Sequence, residues 1–403
     1  MKSNLFYLIL FLLPLSIFGN SFNTSINSHM ACVSGKLKKT IIVDGFTREY
    51  IIHVPASYDH SIQVPLVFML HGTGGSGDDF YENHGWKELS EKENFIVVYP
   101  SALRYRIFTD GENKTITKWN TSPDAEWVFQ AGETGADDIK FLRRIIEEMK
   151  QEYKIDAKRI YLNGFSNGGA MASKCAVEMS DVLAAVAENA ASFYIDTVYI
   201  PKRKLPVLFQ VGNKDYGPGN IGPEIPLIYL DTLLSQAGIP IQNGKHFRIA
   251  NNHIRNFNLQ SSYTIVGDTN QVVVATYLPK NPGPGTGYEF KFILVKALAH
   301  AYPNGENHFF DAPKVHWNWM QKFMLENTVA TKDEKNEALE LVSFYPNPSQ
   351  NKIHFDTMTE WNIMNLNGES IKKGFGNEID ISNLPPAIYF LKMENKLRKL
   401  IKN

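Results

Sequence analysis

Residues 161–179 read "YLNGFSNGGAMASKCAVEM". The stretch begins as an apolar strand and ends as a helix. Between the two lies Gly164-Phe165-Ser166-Asn167-Gly168, which has the spacing G-x-S-x-G in the strand, turn and helix context that this motif requires. Small residues at 164 and 168 permit a tight, strained turn that lifts the Ser166 hydroxyl above a sheet. The helix beginning at Asn167 offers free backbone N–H groups and its positive dipole end. The reading is a serine nucleophile presented at the carboxyl end of a strand.

Outward from the turn, short apolar runs alternate with helical ones between about residues 34 and 325. "VPLVFML" (64–70), "FIVVYP" (95–100), "RIYLNGF" (159–165), "LAAVAEN" (183–189) and "LPVLFQV" (205–211) are nearly continuous apolar strands, as in a sheet covered on both faces. From Ala136 to Tyr153, Ile139, Leu142, Ile145, Ile146 and Met149 recur at helical spacing, with Lys140, Arg143, Arg144, Glu147, Glu148 and Lys150 between them. That is an amphipathic helix packed on the sheet. The alternation predicts an α/β fold with a predominantly parallel sheet and its chemistry just beyond the strand ends.

Two further groups stand in such positions. Asp215 follows the strand "LPVLFQV", and His300 follows "YEFKFILV". The chain order Ser, Asp, His is that of the α/β-hydrolase fold and differs from the orders of the two familiar serine protease folds. Asp231 and Asp268 are rival acids, and His308 and His316 are rival histidines; position directly after a strand favours Asp215 and His300. Upstream, "VFMLHGTGGSGDDF" runs from a strand into the loop His71 to Gly77, which in this fold supplies the second donor of an oxyanion hole. The backbone N–H groups of Thr73 and Asn167 are the candidates, with His71 a hydrogen-bonding support beneath the loop. The loop glycines are not followed by Gly-Lys-Ser/Thr, and no H-E-x-x-H occurs, so neither nucleotide chemistry nor a catalytic metal is expected. No cofactor is called for. Trp86, Trp119 and Tyr302 are candidates for stacking on an aromatic acyl group or a sugar face, although each suits a core equally well.

The 403 residues allow two or three domains, and 41 basic against 42 acidic residues leave a net charge of −1, without a field that would draw in nucleic acid. Two cysteines are too few for a disulfide scaffold; Cys32 and Cys175 are candidates for a single bond after export, and Cys175 reads as a buried apolar residue. Residues 1–21 read as a secretory signal peptide: Lys2, an apolar run from Leu5 to Phe18 interrupted by Pro14, then Gly19, Asn20 and Ser21. Residues 326–340 are polar and read as a linker. Residues 341–403 show short alternating runs with Asn367-Gly368 as a hairpin turn, which predicts a small all-β C-terminal domain.

This tail resembles the C-terminal sorting domain of the type IX secretion system. The resemblance rests on "YPNPS" (345–349), "NLNGE" (365–369), "IDISNLPPAIYFLK" (379–392) and the basic end "KLIKN" (399–403), with Ala387 where the family usually has Gly. It implies an export address read by outer-membrane machinery. The central region, 34–325, resembles the secreted polyhydroxybutyrate depolymerase and feruloyl esterase-like group of α/β-hydrolases, of carbohydrate esterase type. The matching pieces include "REYIIHVPASYD", "PLVFMLHGTGGSGDDF", "KWN" at 118–120, "ADDIKFLRRIIEEM", "VGNKDYG" and "AHAYPNG". By that resemblance Ser166, Asp215 and His300 form a triad and Asp138 is structural.

The chain departs from the group in having Ala299-His300-Ala301-Tyr302-Pro303 where many members have Gly-His-Thr-Trp-Pro, and in the stretch from about Lys245 to Lys280, which reads as a β-rich insertion. The expectation is a secreted serine esterase acting on feruloyl or acetyl groups of polysaccharides, with a polymeric or oligomeric ester as partner. Depolymerisation of short polyesters, or non-catalytic sugar binding on the same fold, are the alternatives.

Overall fold

The structure, a computed structural model, describes residues 34–403 except 110, 122–128, 130–134, 192–200, 236–244, 283–286, 326–343, 346–348, 366–368 and 394–395. The signal peptide, Cys32 and with it the disulfide, the linker and the Asn367-Gly368 turn lie outside the described residues.

The apolar runs form the middle of a ten-stranded sheet. β3 (Val64–Leu70), β4 (Ile96–Pro100), β7 (Ile155–Phe165), β8 (Ala185–Asn189), β9 (Val207–Gly212) and β12 (Phe290–Val295) lie in the order β4-β3-β7-β8-β9-β12, all parallel. Every residue of β3, β4, β8 and β9 is buried, as strands covered on both faces must be. Antiparallel pairs extend both sides: β1 (Gly35–Val43) with β2 (Phe46–Val54) beside β4, and β11 (Val272–Pro279) with β10 (Leu259–Asp268) beside β12. β1 and β2 are joined by Asp44 and Gly45, both at positive φ, as the tight two-residue hairpin turn requires. The sheet is therefore parallel at its centre and antiparallel at its flanks.

Helices cover the sheet. α3 (Asp138–Glu152) starts at Asp137, whose side chain accepts the Lys140 N–H, and buries Phe141, Leu142, Ile145, Ile146 and Met149. α4 (Asn167–Glu178) follows β7 directly. α1 (Gly77–Asn83), α2 (Trp86–Glu93) and α7 (Ala312–Met320) pack with the aromatic part of the core, where the rings of Phe95 and Trp317 lie 4.2 Å apart. α5 (Leu230–Ser235) and α6 (Lys245–Phe257) complete the set. The stretch from about Lys245 to Lys280, expected to be a β-rich insertion, supplies β10 and β11 but opens with the thirteen helical residues of α6. Outside the main sheet, β5 (Arg104–Thr109) and β6 (Glu112–Thr117) form a two-stranded ribbon.

Residues 344–402 build a second, five-stranded sheet from β13 (Phe344–Tyr345), β14 (Lys352–Met364), β15 (Ser370–Asp380), β16 (Ala387–Met393) and β17 (Lys396–Lys402). It has its own core of Ile353, Ile363, Ile379, Ile381, Leu391 and Leu400. The all-β tail and the α/β main domain match the fold class read from the sequence.

Register decides what this architecture brings together. Leu70 pairs with Gly164, Phe165 with Asn189, Asn189 with Gln210 and Gly212 with Val295. The parallel strands thus end in line, and the loops carrying His71, Ser166, Asp215 and His300 all leave the sheet at one edge.

Candidate active site

The turn after β7 is built on close backbone approach. A Cβ on Gly164 would lie 2.1 Å from the Gly168 carbonyl oxygen, and one on Gly168 would lie 2.4 Å from the carbonyl oxygens of Leu70 and His71. No side chain fits at either position. Between them Ser166 is held at φ 54°, ψ −121°, a conformation that costs of order 1–3 kcal/mol and persists only where the surroundings enforce it. Here the Ser166 N–H donates to the Asn189 carbonyl at 2.8 Å, and the Ser166 carbonyl accepts the first helical bond of α4 from Ala170 at 3.0 Å. Ser166 is the N-cap of α4, yet its side chain makes no capping bond. The hydroxyl is directed elsewhere.

It meets His300. Ser166 Oγ lies 2.9 Å from His300 Nε2, and His300 Nδ1 lies 2.9 and 3.1 Å from the two carboxylate oxygens of Asp215. Asp215 is fully buried and also accepts the Gly217 N–H at 2.9 Å. Its loop and the histidine loop are tied to each other. The Lys214 N–H donates to the Leu298 carbonyl at 3.0 Å, and the side-chain oxygen of Asn213 accepts the Ala297 N–H at 2.7 Å. A carboxylate on one ring nitrogen fixes the tautomer that leaves the other free to accept a proton from the serine.

The rival groups are engaged elsewhere. Asp231 accepts the Tyr263 hydroxyl at 2.8 Å and Asp268 accepts the Asn270 N–H at 2.8 Å. His308 Nε2 donates to the Lys296 carbonyl at 3.0 Å, and His316 is buried between Asn163 and Gln210 at 2.9 Å from each.

The loop from His71 to Gly77 stands against the nucleophile: a Cβ on Gly72 would lie 3.1 Å from that of Ser166. Its shape is held from below. His71 is buried; its Nε2 accepts the Ala102 N–H at 2.9 Å, so Nδ1 carries the proton and donates to the Gly72 carbonyl at 2.7 Å. Burial pushes this imidazole down to about 4, and it stays neutral. The ribbon holds the loop from the side, where the Gly74 N–H donates to the Thr117 carbonyl at 2.9 Å and the Thr117 hydroxyl donates to the Gly75 carbonyl at 2.7 Å. Thr73 is exposed at the crest, and Asn167 begins α4 beside Ser166. Thr73 follows Gly72, which lies against Ser166, and Asn167 follows Ser166 in the chain.

Comparison with known proteins bears on this arrangement. Residues 49–198 match the family model described as esterase PHB depolymerase, and residues 343–403 match that of the secretion system C-terminal sorting domain. The chain is similar to the bifunctional acetylxylan esterase/xylanase XynS20E of Neocallimastix patriciarum, 32% identical over 34% of this chain and 17% of the relative. It is also similar to feruloyl esterase B of Piromyces equi, 29% identical over 42% of this chain and 29% of the relative. The chain spans less than a third of the length of either. Among solved structures, an acetyl xylan esterase from Aspergillus awamori is similar with a TM-score of 0.48 and 14% identity, over 70% of this chain and 98% of that one.

The three aromatic residues expected to meet a ligand sit instead in the core of the main domain. Trp86 and Trp119 are 0% exposed and Tyr302 is 3% exposed. Their polar tips bond inward: Trp86 Nε1 donates to the Tyr302 hydroxyl at 2.8 Å, and Trp119 Nε1 donates to the His71 carbonyl at 2.8 Å. Rings with both faces packed offer no platform to a sugar. Trp119 serves the site in another way, because its backbone N–H donates to Asn167 Oδ1 at 2.7 Å and so links the "KWN" segment to the start of α4.

Asp138 is buried, ion-paired to Arg48 at 2.6 Å, and accepts the Asn120 N–H at 2.7 Å, the structural role its resemblance implied. Cys175 is buried and makes no disulfide among the described residues, and burial raises the proton affinity of its thiol. Asn163, Asn189 and Asn213 were not singled out from the sequence, although a polar residue inside or ending an otherwise apolar strand run is the signal that marks all three.

Proposed function

We propose that this chain is a secreted serine esterase that hydrolyses carboxylic esters through an acyl-enzyme, with feruloyl or acetyl groups on polysaccharides as the substrate class. The observation that carries the reading is the unbroken series from Ser166 Oγ through the His300 ring to the buried Asp215 carboxylate, with both links at 2.9 Å. His300 takes the hydroxyl proton as Ser166 Oγ attacks the carbonyl carbon, and Asp215 stabilises the resulting imidazolium. The Thr73 and Asn167 amides receive the negative charge that develops on the carbonyl oxygen. Such donors act where water is excluded and are worth about 10² to 10³ in rate each. His300 then returns the proton to the leaving alcohol, and water repeats the sequence to release the acid.

The substrate class rests on the named activities of the relatives, an acetylxylan esterase/xylanase and a feruloyl esterase. In this reading residues 1–21 direct Sec export and are removed, 34–325 carry the chemistry, 326–340 connect, and 341–403 address the chain to the type IX machinery. The test is fluorophosphonate labelling with turnover on methyl ferulate, acetylated xylan and a 3-hydroxybutyrate oligomer. Labelling should map to Ser166, and Ser166→Ala should lose turnover by several powers of ten. A Ser166→Ala protein as active as the parent on all three would end the proposal.

A further inference from the structure

Beneath the nucleophile turn, buried polar side chains cross from β8 through β7 to the histidine loop. Asn189 grips the turn twice: its carbonyl accepts the Ser166 N–H at 2.8 Å and its side-chain amide donates to the Gly164 carbonyl at 2.9 Å. The same amide donates to Asn163 Oδ1 at 2.6 Å, and Asn163 Nδ2 donates to the Tyr302 hydroxyl at 3.4 Å. That hydroxyl also accepts from Trp86 Nε1 at 2.8 Å. Asn163, Asn189, Trp86 and Tyr302 are at most 3% exposed, so each bond is made away from water, where leaving a donor unpaired is costly.

Tyr302 stands two residues beyond His300. On the other side of His300, Leu298 is bonded to the acid loop through Lys214. The histidine is thus suspended between an anchor to the acid at 298 and an anchor to the nucleophile strand at 302. We propose that Tyr302 is a positioning residue, its hydroxyl fixing the histidine loop to β7 through Asn163 and to α2 through Trp86 and so setting the reach of His300 Nε2 to Ser166 Oγ. The inference rests on the esterase reading above. The hydroxyl is what matters in it: the Tyr302 ring packs by its edge against Phe165, with centroids 6.1 Å apart, and Phe keeps that packing.

The test uses the full chain and p-nitrophenyl acetate. Tyr302→Phe should lower kcat about tenfold with KM within about twofold of the parent, since small displacements of a reacting group cost rate rather than binding. Trp86→Phe, which deletes one donor to the same hydroxyl, should move kcat the same way, and the double variant should be no slower than the slower single, as for residues acting through one link. Trp317→Phe removes an equivalent indole N–H, bonded to Glu93 at 3.1 Å outside this network, and should leave kcat unchanged.

If Tyr302→Phe does not fold, Trp86→Phe against Trp317→Phe carries the comparison. Parental kcat in both Tyr302→Phe and Trp86→Phe, or an equal loss in Trp317→Phe, overturns the inference while an inactive Ser166→Ala leaves the esterase reading standing. An active Ser166→Ala overturns both.

Discussion

Replacing Asp138 by Ala should be the most destabilising single change among the charged residues described, and it should cost more than replacing its partner. Arg48 and Asp138 are 1% and 0% exposed by side chain and meet at 2.6 Å, with the guanidinium 3.9 Å from the centroid of the Phe141 ring. Burial pushes the Asp138 carboxyl above its ordinary range while Arg48 and the Asn120 amide pull it back, so its charge depends on its partners. Without Arg48 the carboxyl can take up a proton and become neutral. Without Asp138 the guanidinium has no such escape, because it keeps its proton at any accessible pH. Breaking a buried pair by deleting one partner costs about 3–5 kcal/mol. At about 2–4 °C per kcal/mol for a domain of this order of size, Asp138→Ala should melt about 6–20 °C below the parent. Arg48→Met should lose about half as much or less, and Arg48→Met with Asp138→Leu should recover most of the loss. Urea melts with an unchanged m-value, beside thermal melts followed by circular dichroism, measure all three. An Asp138→Ala midpoint within about 1 kcal/mol of the parent, or a larger loss for Arg48→Met, would refute the reasoning.

Gly164→Ala places a methyl group 2.1 Å from a backbone oxygen that cannot rotate away, and should cost about 1–3 kcal/mol and at least about 10² in the rate of fluorophosphonate labelling; parental labelling would contradict it. Burial holds His71, His84 and His316 down to about 4, 4 and 3, against an ordinary value of 6.5. Each therefore binds a proton more weakly folded than unfolded, so its stabilisation is complete above about pH 6.5 and is lost as pH falls through about 4, or about 3 for His316. The melting temperature should fall steadily from pH 7 to pH 4.5, less steeply in His316→Gln, and a constant value over that range would count against it. Deleting 341–403 should leave kcat within about twofold while stopping release of the protein from cells, and release at the parental level would exclude an address function for the tail.

Much of the arrangement was legible in the residues because elementary chemistry leaves few choices. A strand buried on both faces must be apolar throughout, so Val64 to Leu70 could be read directly. A turn with carbonyls 2.1 to 2.4 Å from where a Cβ would stand must be glycine at 164 and 168, so G-x-S-x-G was informative in its context.

Trp86, Trp119 and Tyr302 were ambiguous because a large ring with a polar tip serves a ligand wall and a hydrogen-bonded core equally well; only the partners of Trp86 Nε1, Trp119 Nε1 and the Tyr302 hydroxyl decide between them. Helix α6 was hidden for another reason. Its buried positions mix His246, Asn252, His253 and Asn256 with Ile249, Ala250 and Phe257, so polar residues interrupt the apolar stripe that normally betrays a helix. The antiparallel flanks were equally obscure, since exposure on one face breaks the continuous apolar run that marks the central strands.

One of the two edge strands of the ten-stranded sheet, β1, carries Lys36, Lys38 and Lys39, and each is ion-paired: Lys36 with Asp78 and Glu82, Lys38 with Glu49, and Lys39 with Glu152. A stranger's strand approaching this border would have to strip water from ammonium groups and disturb their acidic partners before gaining a single ladder bond. The lysines thus guard this border of the sheet against chain-to-chain adhesion.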